Sequence, residues 1–159
     1  SIVSLAPIEI STLSNMNTLE KLSILSSYIS LNNRIDNYQN LEYLFMHGFR
    51  QGEYRYVHED EEILINNGFP EGIFNLQNLK TITLERSGIS VIPKQIDKLT
   101  QLRKISLFDN DIKEIPLEIL KLKNLEYINM DKGLIEKLKE MNIDEDNIEL
   151  DSYPSRNRL

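Results

Sequence analysis

Leu99-x-x-Leu102-x-x-Ile105-x-Leu107-x-x-Asn110-x-Ile112-x-x-Ile115-Pro116-x-x-Ile119 is the stretch that decides the fold. The same order of residues stands 23 positions earlier as Leu76-x-x-Leu79-x-x-Ile82-x-Leu84-x-x-Ser87-x-Ile89-x-x-Ile92-Pro93-x-x-Ile96. It returns 23 positions later as Leu122-x-x-Leu125-x-x-Ile128-x-Met130-x-x-Gly133-x-Ile135 and then drifts. A fixed period of this length marks stacked units, none of which can bury its faces alone.

Within one unit, strand alternation turns Ile105 and Leu107 inward and Ser106 outward. Asn110 is placed to hydrogen-bond backbone groups as the chain leaves the strand. Ile112, Ile115, Ile119 and Leu122 fill the rest of the interior. Pro116 follows Ile115, which the proline ring holds in an extended conformation. The equivalent residues Ile82, Leu84, Ile128 and Met130 are expected in successive buried parallel strands.

These three blocks resemble the leucine-rich repeat family, whose pattern is L-x-x-L-x-L-x-x-N/C-x-L within 20–29 residues. The Ile-Pro-x-x-Ile continuation is similar to the 23-residue class with an L-P-x-x-I segment. The resemblance implies an α/β solenoid. A curved parallel sheet lines its concave side, and irregular or 3-10 segments form the convex side. Only Asn110 fills the family's Asn position; Ser87 and Gly133 replace it, which predicts looser turns in those units. Leu134, Ile135, Leu138 and Met141 are spaced for a short C-terminal helix over 134–141.

Outward from the clear repeats at 76–138, weaker copies run through residues 1–75. Met16-x-x-Leu19-x-x-Leu22-x-Ile24 and Tyr38-x-x-Leu41-x-x-Leu44-x-Met46 repeat the strand core. Val3-Ser4-Leu5, Ile63-Leu64-Ile65 and Ile148-Glu149-Leu150 share the apolar-x-apolar form. The first inward strand positions are then expected at 3, 22, 44, 63, 82, 105, 128 and 148, giving up to eight coils. A single domain over 1–151 and a tail over 152–159 follow from this series. Segment 47–62 fits no block; it reads as an irregular convex segment, with a hairpin strand at 53–58 as the alternative.

Composition narrows function. The chain of 159 residues has 18 Lys+Arg against 25 Asp+Glu, a net charge of −7, and neither Cys nor Trp. One domain of this size can bury a sizeable core. The missing cysteines exclude disulfides, thiolate metal sites and a thiol nucleophile. The acidic balance argues against nucleic acid, which needs a basic footprint. No apolar run approaches the ~20 residues of a membrane span. Cytoplasmic and exported locations both fit the sequence.

No phosphate-binding loop, dinucleotide fingerprint, nucleophile elbow or His-Glu-x-x-His motif occurs. His58-Glu59-Asp60-Glu61-Glu62 is the densest polar run; adjacent charges cannot all face one ion, and a solvated segment is the favoured reading. Asp144-Glu145-Asp146-Asn147 lacks the Gly and the bidentate Glu of a calcium loop. Glu20, Glu85 and Asp131 are not marked as an acid–base pair. The expectation is a chain with no cofactor, no metal and no enzymatic activity.

The outward strand positions remain. Tyr43, Phe45, Phe108 and Tyr127 place aromatic rings where water is expected, with Leu25 and Leu64 beside them and His47 on the same face. Glu85, Arg86, Asp109 and Asp131 form a charged rim. Apolar groups bordered by charge mark interaction surfaces, and aromatic residues and arginine anchor them. The resemblance implies a protein-interaction scaffold that binds a protein partner on its concave face. The alternatives are the recognition domain of a larger enzyme or effector, or a carbohydrate- or cell-surface-binding domain.

Overall fold

The computed structural model describes residues 2–4, 8–9, 18–26, 29–30, 35–48, 69 and 71–153. Nine strands lie among them: β1 Ile2–Ser4, β2 Ile8–Glu9, β3 Lys21–Ser26, β4 Ile29–Ser30, β5 Tyr43–Gly48, β6 Thr81–Glu85, β7 Lys104–Ser106, β8 Tyr127–Asp131 and β9 Glu149–Tyr153. Seven form one sheet in the order β1-β3-β5-β6-β7-β8-β9, and every pairing is parallel. β2 and β4 make a second, two-stranded parallel ladder that the repeat pattern does not announce.

The inward rows are as expected. Ile82, Ile105, Leu107, Ile128 and Met130 are fully buried and Leu84 nearly so. They stack in register: Ile82 beside Ile105, and Ile105 beside Ile128. Leu76, Leu79, Leu99 and Leu102 close the same core from the segments that enter each strand. Each such side chain contributes roughly 1.5–3 kcal/mol by leaving water. The core is one continuous aliphatic column, with Phe69 stacked on Phe74 at a centroid distance of 5.6 Å.

Opposite the sheet, the chain returns through 3-10 turns. Those at Lys94–Lys98 and Leu117–Lys121 begin directly after Pro93 and Pro116, whose extended backbones (ψ 148° and 143°) set the entry. Each turn buries one residue, Ile96 or Ile119. A proline is well placed here because its absent N–H falls where a helical start has no acceptor for it. The C-terminal helix α1 spans Lys132–Glu140, buries Leu134, Ile135 and Leu138, and carries Lys137 and Lys139 in its last turn, where cations suit the helix dipole.

Asn110 ties two coils together. Its Oδ1 accepts from Ser87 N at 3.0 Å and Ile89 N at 3.1 Å. Its Nδ2 donates to Leu84 O at 2.7 Å and Leu107 O at 2.8 Å. Ser87, at the equivalent position one coil earlier, donates instead to Glu85 O within its own turn. Gly133 falls inside α1, so the third coil replaces the turn with a helix.

The strand series needs correction at four places. β5 is hydrogen-bonded directly to β6, Tyr43 beside Thr81 and His47 beside Glu85, so no coil of this sheet separates them. Ile63–Ile65, the possible hairpin at 53–58 and the run His58–Glu62 lie outside the described residues. At the first edge, Ile2 and not Val3 aligns with the inward Ile24. At the last, Leu150 and not Ile148 aligns with Ile128. β9 also continues to Tyr153, so residues 152 and 153 belong to the sheet and not to the tail.

Candidate functional site

The outer face of the sheet presents three columns set by the parallel register. The first runs Lys21, Tyr43, Thr81, Lys104, Tyr127 and Glu149. The second runs Ser23, Phe45, Thr83, Ser106, Asn129 and Asp151. The third contains Leu25 beside His47, His47 beside Glu85, and Asp131.

Three apolar side chains on β3 and β5 are open to solvent: Leu25 at 39%, Tyr43 at 38% and Phe45 at 36%. They adjoin one another, since Leu25 pairs with His47 and Phe45 with Ser23. The Lys21 ammonium sits 4.8 Å above the Tyr43 ring. Phe45 and His47 lie two residues apart on one face of β5 with parallel rings, centroids 6.4 Å apart. This is the largest exposed apolar group on the sheet among the described residues.

The expected aromatic centre is therefore split. Tyr43 and Phe45 stand on β5, Tyr127 stands on β8, and β6 and β7 lie between with Thr81, Thr83, Lys104 and Ser106. Three strand spacings separate the groups by about 14 Å. Phe108 and Tyr127 are half-buried, not exposed. Lys104 lies 5.9 Å over the Tyr127 ring, and the Tyr127 hydroxyl donates to Asp151 Oδ2 at 3.0 Å.

The charged residues are held by neighbours. Arg86 Nε donates to Asp109 Oδ2 at 3.1 Å, at the turns that follow β6 and β7. Glu85 Oε1 accepts from Ser106 Oγ at 2.6 Å, and its Oε2 lies 3.8 Å from His47 Nδ1. Ser106 Oγ in turn accepts from Asn129 Nδ2 at 3.1 Å. A polar chain thus crosses β8, β7 and β6 and reaches the edge of β5. Asp131 closes β8 as the residue before α1.

Ser106 and Asn129 are almost fully buried although they point away from the aliphatic core. Alternation identifies them as outward but cannot show that a short side chain between two longer neighbours becomes enclosed. Asp151 was equally hidden by the register of β9. The signal that finds it is the step of 22 residues from Leu22 to Leu44, which recurs from Ile128 to Leu150.

No cluster of three or more His, Asp or Glu side chains able to hold a metal ion occurs among the described residues. No helix of the described residues is long and apolar enough to cross a membrane.

No protein-family model matches the chain, and no curated protein matches it. Solved structures do. A leucine-rich repeat protein of Leptospira interrogans superposes with a TM-score of 0.61 at 21% identity, over 88% of this chain and 32% of that one. An internalin of Listeria monocytogenes gives 0.55 at 16% identity, over 78% of this chain and 33% of that one. A chain of the Drosophila Toll–Spätzle complex gives 0.50 at 16% identity, over 94% of this chain and 22% of that one. The chain spans a third or less of the length of each. At such identities the likeness establishes the fold, a leucine-rich repeat solenoid.

Proposed function

We propose that this chain is a non-enzymatic protein-binding module that engages its partner through the outer, concave face of the sheet. The observation that carries the reading is the exposed group Leu25, Tyr43 and Phe45, which lies on the side of the sheet away from the aliphatic core. Packing between coils does not require aromatic residues there; a partner that removes them from water gives them a use. His47, Glu85, Arg86, Phe108, Asp109, Tyr127 and Asp131 extend the surface along the sheet. The fold supports the reading by analogy only, since folds host many functions.

A second reading is favoured by one fact, that the chain spans a third or less of the solved structures it resembles. Here the chain is the recognition part of a longer protein whose chemistry lies elsewhere. Both readings place contact on the same face, and the full-length coding sequence distinguishes them.

The test is a pull-down with the wild-type chain, a Tyr43→Ala/Phe45→Ala variant and a Leu117→Ala control. Leu117 is 67% exposed on the opposite, 3-10 side. A partner retained by the control and lost by the double variant supports the proposal. Retention by the double variant and loss by the control places binding on the other side.

A further inference from the structure

Resting on that reading, we infer that partner binding on the concave face is proton-linked: His47 takes up a proton as an apolar partner segment covers it against Glu85, so that affinity rises in acid. His47 stands at the meeting point of the two kinds of surface on the sheet. On β3 it is paired with the exposed Leu25, and on β6 with Glu85. On its own strand its ring lies parallel to that of Phe45. A segment that takes Leu25 and Phe45 out of water therefore also covers the imidazole and reaches the open side of Glu85.

The two Glu85 oxygens are in different situations. Oε1 accepts from the Ser106 hydroxyl at 2.6 Å. Oε2 lies 3.8 Å from His47 Nδ1, beyond hydrogen-bond distance, and the two side chains are 25% and 24% exposed. In the uncovered chain water solvates this oxygen and screens the pair, so a proton on His47 gains little there. Other described charges are directed elsewhere. Arg86, in the turn after β6, donates to Asp109. Lys21 lies over Tyr43 at the opposite end of β5, and Lys104 of β7 over Tyr127. Asp131 stands on β8, two strands beyond β6. From β3, Ser23 and Leu25 bring no charge to the imidazole, and from β5 Tyr43 and Phe45 bring none at neutral pH.

Covering the pair changes the balance. With a neutral imidazole, the partner encloses a carboxylate whose charge nothing beside it answers. With an imidazolium, it encloses a pair of opposite charges, and Nδ1 becomes a donor aimed at Oε2. An uncompensated charge withdrawn from water costs more than a paired one. The covered site thus prefers the protonated ring, and by linkage protonation tightens binding. Imidazoles titrate between pH ~5 and ~8, so this dependence falls in that interval.

The test selects a phage library of random peptides lacking Asp, Glu and His on the immobilised full chain at pH ~5.5. A capped consensus peptide, which does not itself titrate there, is then the probe. Its affinity is expected to fall about tenfold from pH ~5.5 to ~7.5 at fixed salt. Calorimetry in buffers of different ionisation heat should show protons taken up on binding, a readout that needs no variant. His47→Asn should bind independently of pH, and Glu85→Gln should no longer bind more tightly in acid, both melting near the wild type. The chain's second histidine supplies the control: His58→Asn should keep the wild-type dependence. Affinity that is flat or rises with pH, or an acid dependence that survives His47→Asn or Glu85→Gln or disappears with His58→Asn, overturns the inference. If the peptide in those cases is still lost on Phe45→Ala, the concave reading stands without it. A peptide indifferent to both Tyr43→Ala and Phe45→Ala overturns the concave reading too, and a library that enriches nothing overturns the inference.

Discussion

Arg86 and Asp109 hold the same place in consecutive coils, and the Arg86 guanidinium donates to the Asp109 carboxylate at 3.1 Å. Both backbones are left-handed, with φ of 53° and 57°. A side chain at such a φ costs roughly 1–2 kcal/mol. The repeat accepts that cost at each turn because the turn places the next coil's interior. Asp tolerates this conformation better than most residues, and the ion pair offsets part of the strain. Asp109→Ala is expected to lower stability by about 1–2 kcal/mol, with a coupling of about 0.5–1 kcal/mol to Arg86→Ala in a double-mutant cycle. Urea unfolding measures both; a coupling near zero contradicts the account.

Asn110→Ala should be among the most damaging polar substitutions in the chain. It strands Ser87 N, Ile89 N, Leu84 O and Leu107 O, of which the groups around Ile89 and Leu107 are buried. Each orphaned group costs about 1–3 kcal/mol, so a total of about 3 kcal/mol or more is expected. Equilibrium denaturation checks this, and a loss below about 1 kcal/mol argues that the four bonds are not made.

Leu107 and Phe108 are neighbours with opposite fates. Leu107 is fully buried and Phe108 half-buried on the outer face. Leu107→Ala is expected to cost about 2–5 kcal/mol, the usual penalty for a cavity in a packed core. Phe108→Ala should cost clearly less and show its effect in partner affinity. Melting temperatures of the two variants, compared side by side, decide the matter; equal losses refute the assignment of inner and outer faces.

Gly48 closes β5 against the next coil. A Cβ there meets the Arg86 carbonyl oxygen at 3.0 Å, and the obstacle is backbone at an already left-handed turn. Gly48→Ala is expected to destabilise by about 1–3 kcal/mol through overpacking. A thermal melt unchanged from wild type shows that β5 and β6 are not this close.

Tyr38 supplies the pH test. Burial pushes its phenol above the ordinary value of 10.0, because the charged form is costly away from water. The folded chain therefore holds its proton longer than the unfolded chain. The resulting stability is complete below the unfolded value and is lost as pH rises through the folded one. Stability should fall above pH ~10, and Tyr38→Phe should flatten that fall. A variant with the wild-type alkaline slope assigns it to other groups.

How much the sequence discloses depends on how local the determinant is. Ile105 and Leu107, Pro93 and Pro116, and the bonding of Asn110 all follow from spacing and residue chemistry inside one repeat. The helix expected over 134–141 forms at Lys132–Glu140. What the pattern cannot carry is the choice of neighbour. Ile63-Leu64-Ile65 has the same local form as a strand of the sheet, yet β5 pairs directly with β6. That choice rests on contacts between distant segments. The edges show the same limit, since Ile2 and Leu150 are selected by register against Ile24 and Ile128 and not by their own composition. In the candidate site, Tyr43, Phe45 and His47 are readable as outward residues of one strand. The chain from Asn129 through Ser106 to Glu85 needs rotamers and adjacent strands at once.

The most direct measurement is an amide chemical-shift titration of the isotope-labelled chain with a captured partner or a selected peptide. Binding on the outer sheet face predicts the largest shifts in 43–48, 81–86, 104–109 and 127–131, with Lys94–Lys98 and Leu117–Lys121 nearly unchanged. Shifts confined to those two 3-10 turns, with the strands silent, contradict the account.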